Sequence, residues 1–162
     1  MPNQELTELK NQIKAAIRRN SDRGFVSYSG CNSICAEMMS IMHMQSAANC
    51  ITEADRRHAF DVYIMVLQET VKLISHSDTS SGAAGDVIVL CLAEIEKLCQ
   101  AAEEVNHKHF FDSIIKTVKN KAFMEWPDYG YGLLKSAVYF VRENRQAEKI
   151  YDLFPALGTM YG

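Results

Sequence analysis

Proline is almost absent from the first three quarters of the chain. Only Pro2, Pro127 and Pro155 occur in 162 residues. A proline removes an amide donor and clashes with the preceding turn, so the stretch between Pro2 and Pro127 is open to long helices. Long apolar runs are missing too. The longest, 87–93 (VIVLCLA), falls far short of the ~18 residues a membrane helix needs, and no membrane association is expected. Surplus positive charge is also missing. Lys and Arg number 17 against 20 Asp and Glu, for a net charge of −3. That balance argues against general nucleic-acid binding, which calls for a basic surface. The first residues, MPNQELTELKNQIK, contain no apolar core of a signal peptide, so no leader is expected.

Catalytic signatures are missing as well. There is no Gly-x-Ser-x-Gly elbow, Walker loop, dinucleotide fingerprint or His-Glu-x-x-His helix. Di-metal helical bundles use repeated Glu-x-x-His, and no repeated set occurs among His43, His58, His76, His107 and His109. Surface or capping roles are expected for these histidines, including the close pair His107 and His109. The five cysteines (Cys31, Cys35, Cys50, Cys91, Cys99) are an odd number. They read as reduced, buried thiols of a cytoplasmic protein. Cys31 and Cys35 share a helix face and could hold a metal with Cys50 or His43. Structural zinc normally uses closer, matched pairs, so inert thiols are the favoured reading and no metal or other cofactor is expected.

What is present is helical periodicity. A first helix is expected over 4–19, with Leu6, Leu9, Ile13, Ala16 and Ile17 on one stripe. Residues 20–24 form a turn, and 24–28 a connector whose Phe25 and Tyr28 pack down onto their neighbours. A second helix over 29–48 carries four methionines between Met38 and Met44. They read as soft core filling, with a peptide groove as the alternative. Thr52 and Asp55 have the spacing of a capping box at the start of a third helix. Ala59, Val62, Tyr63, Val66, Leu67, Thr70 and Ile74 line one face of it, and Phe60, Ile64 and Val71 a second. Two stripes imply an interior helix.

The chain turns back at 75–86. Ser77, Asp78, Thr79, Ser80, Ser81 and Gly82 suggest a calcium loop, but with Gly82 in sixth position Ser77 stands first and Ile88 twelfth, where carboxylates are required. A turn capped by hydroxyls and Asp86 is expected instead, with anion binding at the next helix start as the alternative. The fourth helix, 85–103, keeps Ile88, Cys91, Leu92, Ile95, Leu98, Cys99 and Ala102 at helical spacing. The hinge 75–86 should be exposed and 87–92 largely buried. A fifth helix over 107–124, capped by Asn106, carries Phe110, Phe111, Ile114, Ile115, Val118 and Ala122. A sixth over 128–142 turns Tyr131, Leu134, Val138 and Val141 inward. A seventh over 145–153, capped by Asn144, ends at Pro155 and Gly158.

The expected fold is therefore all-α, a single domain over 1–162. About seven helices form antiparallel hairpins: second with third, fourth with fifth, sixth with seventh. A helical-repeat-like right-handed superhelix and an irregular bundle both fit. Arg18, Arg19 and Arg23, then Arg56 and Arg57, then Lys116, Lys119 and Lys121 form basic patches that read as solvated helix faces. The stretch 125–132 (EWPDYGYG) is the other distinctive feature. It reads as an aromatic plug closing a helix pair, or as a partner-binding hot spot built on Trp126, Tyr129 and Tyr131.

Three segments, 24–28 (GFVSY), 77–87 (SDTSSGAAGDV) and 126–134 (WPDYGYGLL), occur in the order found in another group of proteins. Across about 10–158 the chain resembles the helical region beside the zinc motif of bacterial SWIM-type zinc-finger proteins and related uncharacterised helical domains. The zinc motif itself, Cys-x-Cys followed by Cys-x-His, is absent, so its zinc and nucleic-acid roles do not transfer. The resemblance implies an α-helical, repeat-like scaffold of unassigned activity. The leading expectation is a non-enzymatic, cytoplasmic and bacterial interaction module that binds a protein or peptide and could form a homodimer. A small-ligand-binding or metal-dependent bundle enzyme and a nucleic-acid-associated protein are the alternatives.

Overall fold

The structure is a computed structural model that describes residues 2–153, with side chains from Gln4 onward. Its axis is α3 (Glu53–Ile74), in which twelve of 22 residues are buried, as two apolar stripes require. Thr52 starts the helix with the expected capping box. Its Oγ1 accepts from the Asp55 amide at 3.0 Å, and Asp55 Oδ2 accepts from the Thr52 and Ile51 amides at 3.1 and 3.2 Å. Those backbone donors hold the Asp55 carboxyl below its usual value. A depressed carboxyl stabilises the fold above its unfolded-state pKa, and the contribution is lost as pH falls through the folded one. Asp55→Asn should therefore flatten the acid limb of stability below about pH 4. Urea melts at several pH values would show it, and an unchanged slope would contradict the assignment.

Around α3 lie α1 (Pro2–Arg19), α2 (Tyr28–His43), α4 (Ala83–Ala101), α5 (Glu104–Val118), α6 (Lys121–Glu125), α7 (Pro127–Ala137) and α8 (Asn144–Tyr151). The all-α class stands, with eight α-helices among the described residues. The chief pair is α3 with α4, joined by the hinge. Helices α1, α5 and α6 pack on α3, and α7 packs on α4 and α5. Helix α2 lies on α1 and α4 more than on α3. The arrangement is an irregular bundle about a central pair; among the described residues the expected pairings of fourth with fifth and of sixth with seventh helix (α7 with α8) are not formed as packed pairs. Ala102 and Glu103 are both extended, so α5 leaves the end of α4 and returns along α3 instead.

Several boundaries differ from the sequence expectation. The second helix stops at His43, and a 3-10 turn over Ala47–Asn49 follows. A buried carboxylate holds that turn, with Glu94 Oε2 accepting from the Ala47 amide at 2.8 Å. The fifth helix begins at Glu104 and ends at Val118. Asn106 is buried in its first turn and does not cap it. Asn120 caps the short α6, accepting from the Ala122 amide at 3.1 Å. Trp126 alone separates α6 from α7, whose N1 residue is Pro127, where the missing amide costs nothing. Helix α7 stops at Ala137, and a 3-10 turn over Val138–Phe140 buries Phe140 and leaves Val138 exposed. Glu143, with Gln146, caps α8 in place of Asn144. The expected stop at Pro155 and Gly158 lies outside the described residues.

The connector after α1 is a small hairpin, β1 (Ser21–Asp22) and β2 (Phe25–Val26), where no strand was expected. Arg23 and Gly24 both have positive φ, at 52° and 80°, the conformation of tight hairpin turns. Val26 also pairs in parallel with Ser77 of the hinge: its amide donates to the His76 carbonyl, and its carbonyl accepts from the Asp78 amide, both at 2.8 Å. Strand alternation then buries Val26 and turns Phe25 outward. Phe25 and Tyr28 are about half exposed, so they are not packed down as expected.

The hinge is shorter than expected. Helix α4 starts at Ala83 after Gly82, which sits at φ +78°; the Ser81 hydroxyl accepts from the Ala83 amide at 3.2 Å, as expected of the hinge hydroxyls, whereas Asp86 sits one turn in and does not cap. Within 87–92 only Val87, Ile88 and Cys91 are fully buried, while Val89 is 67 % exposed. A helix gives even an apolar run an outer side. Gly132 admits α7 to α4, because a Cβ there would come within 3.0 Å of Leu92 Cδ1. Met38 and Met42 fill the core, while Met39 and Met44 are on the surface.

Candidate functional site

Two surfaces gather chemistry. The first is at the hinge end. Trp126 Nε1 donates to Ser75 Oγ at 3.1 Å, and Ser75 Oγ donates to Glu125 Oε2 at 3.3 Å. The chain thus ties the end of α3 to the junction of α6 and α7. The Trp126 and Tyr129 rings sit 6.5 Å apart at 31°. Trp126 remains 37 % exposed. Beside it runs a 520 Å³ groove lined by Lys72, Ser75, His76, Asn120, Lys121 and Glu125. Of the three aromatics proposed from sequence, the structure brings Trp126 and Tyr129 together. Tyr131 is half-buried against the core. Exposed Phe25 flanks the same 75–78 segment, on the side where Val26 pairs with it.

The second surface follows α5. A 380 Å³ cleft opens between α5 and α8, with Phe111 and Phe140 at its floor and Lys108, Arg142, Arg145 and Lys149 among its walls. A 560 Å³ cleft adjoins it towards α3, lined by Arg57, Lys108, His109, Asp112, Ser113 and Lys116 among others. Lys108 and Asp112 belong to both. The sequence places Arg57 and Lys116 in separate patches and marks His107 and His109 as a pair, but does not join them with Lys108, Arg142, Arg145 and Lys149. The signal available was their spacing: Lys108 and Lys116 lie two turns apart on one helix face.

Between the helices, His109 Nε2 lies 2.7 Å from Asp61 Oδ1 and bridges α5 to α3. A carboxylate-oriented imidazole can act as a base. Ser113 lines the same cleft but makes no hydrogen bond with His109, so no nucleophile–base pair is formed. His107 Nε2 contacts the Ala102 carbonyl at 3.1 Å. The sequence contains one Glu-x-x-His spacing, Glu104 to His107, that the sequence reading left out; both residues line the first cleft. Among the described residues no three His, Cys, Asp or Glu side chains are grouped to hold a metal ion. All five cysteines are free thiols, four of them buried and Cys50 half-buried. Burial, with the neighbouring Cys31, pushes the Cys35 thiol up to about 12; burial likewise raises Cys91 and Cys99. Such thiols are poor nucleophiles and poor ligands. No helix among the described residues is long and apolar enough to cross a membrane.

No protein-family model, no characterised protein and no solved structure is significantly similar to this chain.

Proposed function

We propose that this chain is a non-enzymatic α-helical binding module that recognises a protein or peptide at its hinge end, with Trp126 as the anchor. The observation that carries the reading is the pinned indole. Its N–H is already satisfied by Ser75, its ring is partly open, and its bonding partner Ser75 and chain neighbour Glu125 line a 520 Å³ groove. A partner covering the ring gains apolar contact without breaking a hydrogen bond or freezing a mobile side chain, which is how aromatic hot spots act. Tyr129, whose ring lies 6.5 Å from that of Trp126, extends the apolar surface. Free, largely buried thiols support a reducing, cytoplasmic setting. A second copy of the chain is a candidate occupant alongside a foreign peptide.

Trp126 is the sole tryptophan, so its fluorescence reports on the site directly. Peptides selected against the whole protein should shift Trp126 emission to the blue. Trp126→Ala should weaken them by about 30-fold, the factor for a hot spot of ~2 kcal/mol. Trp126→Phe, which keeps a ring but loses the Ser75 bond, should fall between. Sedimentation would detect self-association at the same site. Selected peptides that bind Trp126→Ala as tightly as wild type would remove the hinge end from the reading.

A further inference from the structure

The protein is acidic overall, yet six of its 17 cationic residues line the two joined clefts along α5: Arg57, Lys108, Lys116, Arg142, Arg145 and Lys149. Among the described residues, no carboxylate lies within ion-pairing distance of Arg57, Lys108, Lys116, Arg142 or Lys149. Arg145 alone is engaged, with Glu143 at 3.5 Å, and both of those side chains are well exposed. Arg142 is steered by backbone, donating from Nη1 to the Tyr139 and Val141 carbonyls at 2.9 and 3.1 Å. Those bonds hold one nitrogen of the guanidinium on backbone carbonyls and leave it without a carboxylate partner among the described residues. Among the described residues, the only carboxylates lining the clefts are Glu104 and Asp112. Unpaired cations this close together repel one another, and an anion between them removes that cost.

We infer that the cleft between α5 and α8 is a binding site for a compact, multiply phosphorylated small molecule, gripped by Lys108, Arg142, Arg145 and Lys149. Arg57 and Lys116 strengthen the field from the adjoining cleft. Phosphate suits this set because a guanidinium offers paired donors to two of its oxygens while lysines add point charge. The volume, 380 Å³, is that of a small-ligand pocket. A nucleic-acid strand fits less well. Glu104 and Asp112 interrupt the cationic track. The floor rings of Phe111 and Phe140 are buried and offer no stacking face, whereas single-strand binders stack bases on aromatics. This site shares no lining residue with the Trp126 groove, so the two proposals stand or fall separately.

The test is calorimetry of the whole protein at low salt with tripolyphosphate, with citrate and a short single-stranded RNA at matched ionic strength. Tripolyphosphate should bind one-to-one. Lys108→Glu and Lys149→Glu, both exposed positions, should each weaken it by about tenfold or more. Lys135→Glu, the same charge change on exposed α7 surface, should weaken it by less than about twofold. Trp126→Ala should bind it like wild type. Equal losses from all three lysine reversals would overturn the site in favour of diffuse attraction. Citrate binding as tightly would overturn the phosphate assignment. RNA binding more tightly than tripolyphosphate, with the same sensitivity to Lys108 and Lys149, would overturn the compact ligand in favour of nucleic acid. Circular dichroism of each variant checks that the helices remain.

Discussion

Phe60→Ala is expected to destabilise the protein by about 3–5 kcal/mol. Phe60 is fully buried on α3 and stacks on Phe110 of α5, with centroids 4.0 Å apart and planes at 8°. Phe110 in turn meets Phe140 nearly edge-on at 6.1 Å and 74°. One ring thus joins α3, α5 and the turn that follows α7. Truncation removes the ring's transfer energy and leaves a cavity walled by helices that cannot all close in. Total stability for a domain of this size is about 5–15 kcal/mol, so the variant should be partly unfolded on warming. With a urea slope of about 2 kcal/mol per molar, the midpoint should drop by about 1.5–2.5 M. Phe60→Leu should recover most of the loss. A drop under about 0.5 M would mean the ring stack is not a packed core.

Glu53→Ala is the second large effect, expected at about 2–4 kcal/mol. Glu53 is the first residue of α3, and its carboxylate is mostly covered. Oε2 accepts from Asn106 Nδ2 at 2.7 Å and from the Glu103 amide at 3.0 Å, while Oε1 pairs with Arg56 at 2.6 Å. The start of α5 is thereby bolted to the start of α3. Asn106 Nδ2 also reaches the Glu53 carbonyl at 2.9 Å, so Asn106 is buried without being orphaned. Removing the carboxylate strands the Glu103 amide and the Arg56 charge. Glu53→Gln, which keeps one acceptor, should cost about half as much. In a double-mutant cycle with Asn106→Ala, the two losses should fall short of additivity by about 1 kcal/mol or more. Strict additivity would show that the two residues act independently.

What could be read from the sequence follows the range of the interaction. The Thr52–Asp55 box is written within four residues, and it forms as read. The two stripes of α3 are written in its own periodicity, and both faces are buried. The bolt at Glu53 was not legible, because its partners Glu103 and Asn106 lie far along the chain and nothing local marks them. Asn106 was read as a cap for want of that partner. Val89 shows the reverse error: composition suggested burial, and helix geometry put it outside. The short hairpin at 21–26 escaped notice because two-residue strands have no periodicity, although positive φ at Gly24 is what a glycine there permits. Of the site residues, Trp126 and Tyr129 were legible as a cluster. The α5 clefts were not, since their cations come from three helices and the turn before α8.

The bridge between Val26 and Ser77 bears on the order in which the protein can assemble during synthesis. Helices α1 and α2 are made first and can pair at once, because their contact is local. The edge of β2 has no partner until the ribosome has delivered all of α3 and the residues beyond it. Until then Val26 and the inner face of α2, with Ile34 and Met38, stay open to solvent. Closing the seam at 76–78 covers β2, while α2 stays partly open until α4, its larger partner, has followed. A nascent chain halted before the end of α4 still exposes that face of α2 and is the one most in need of a chaperone.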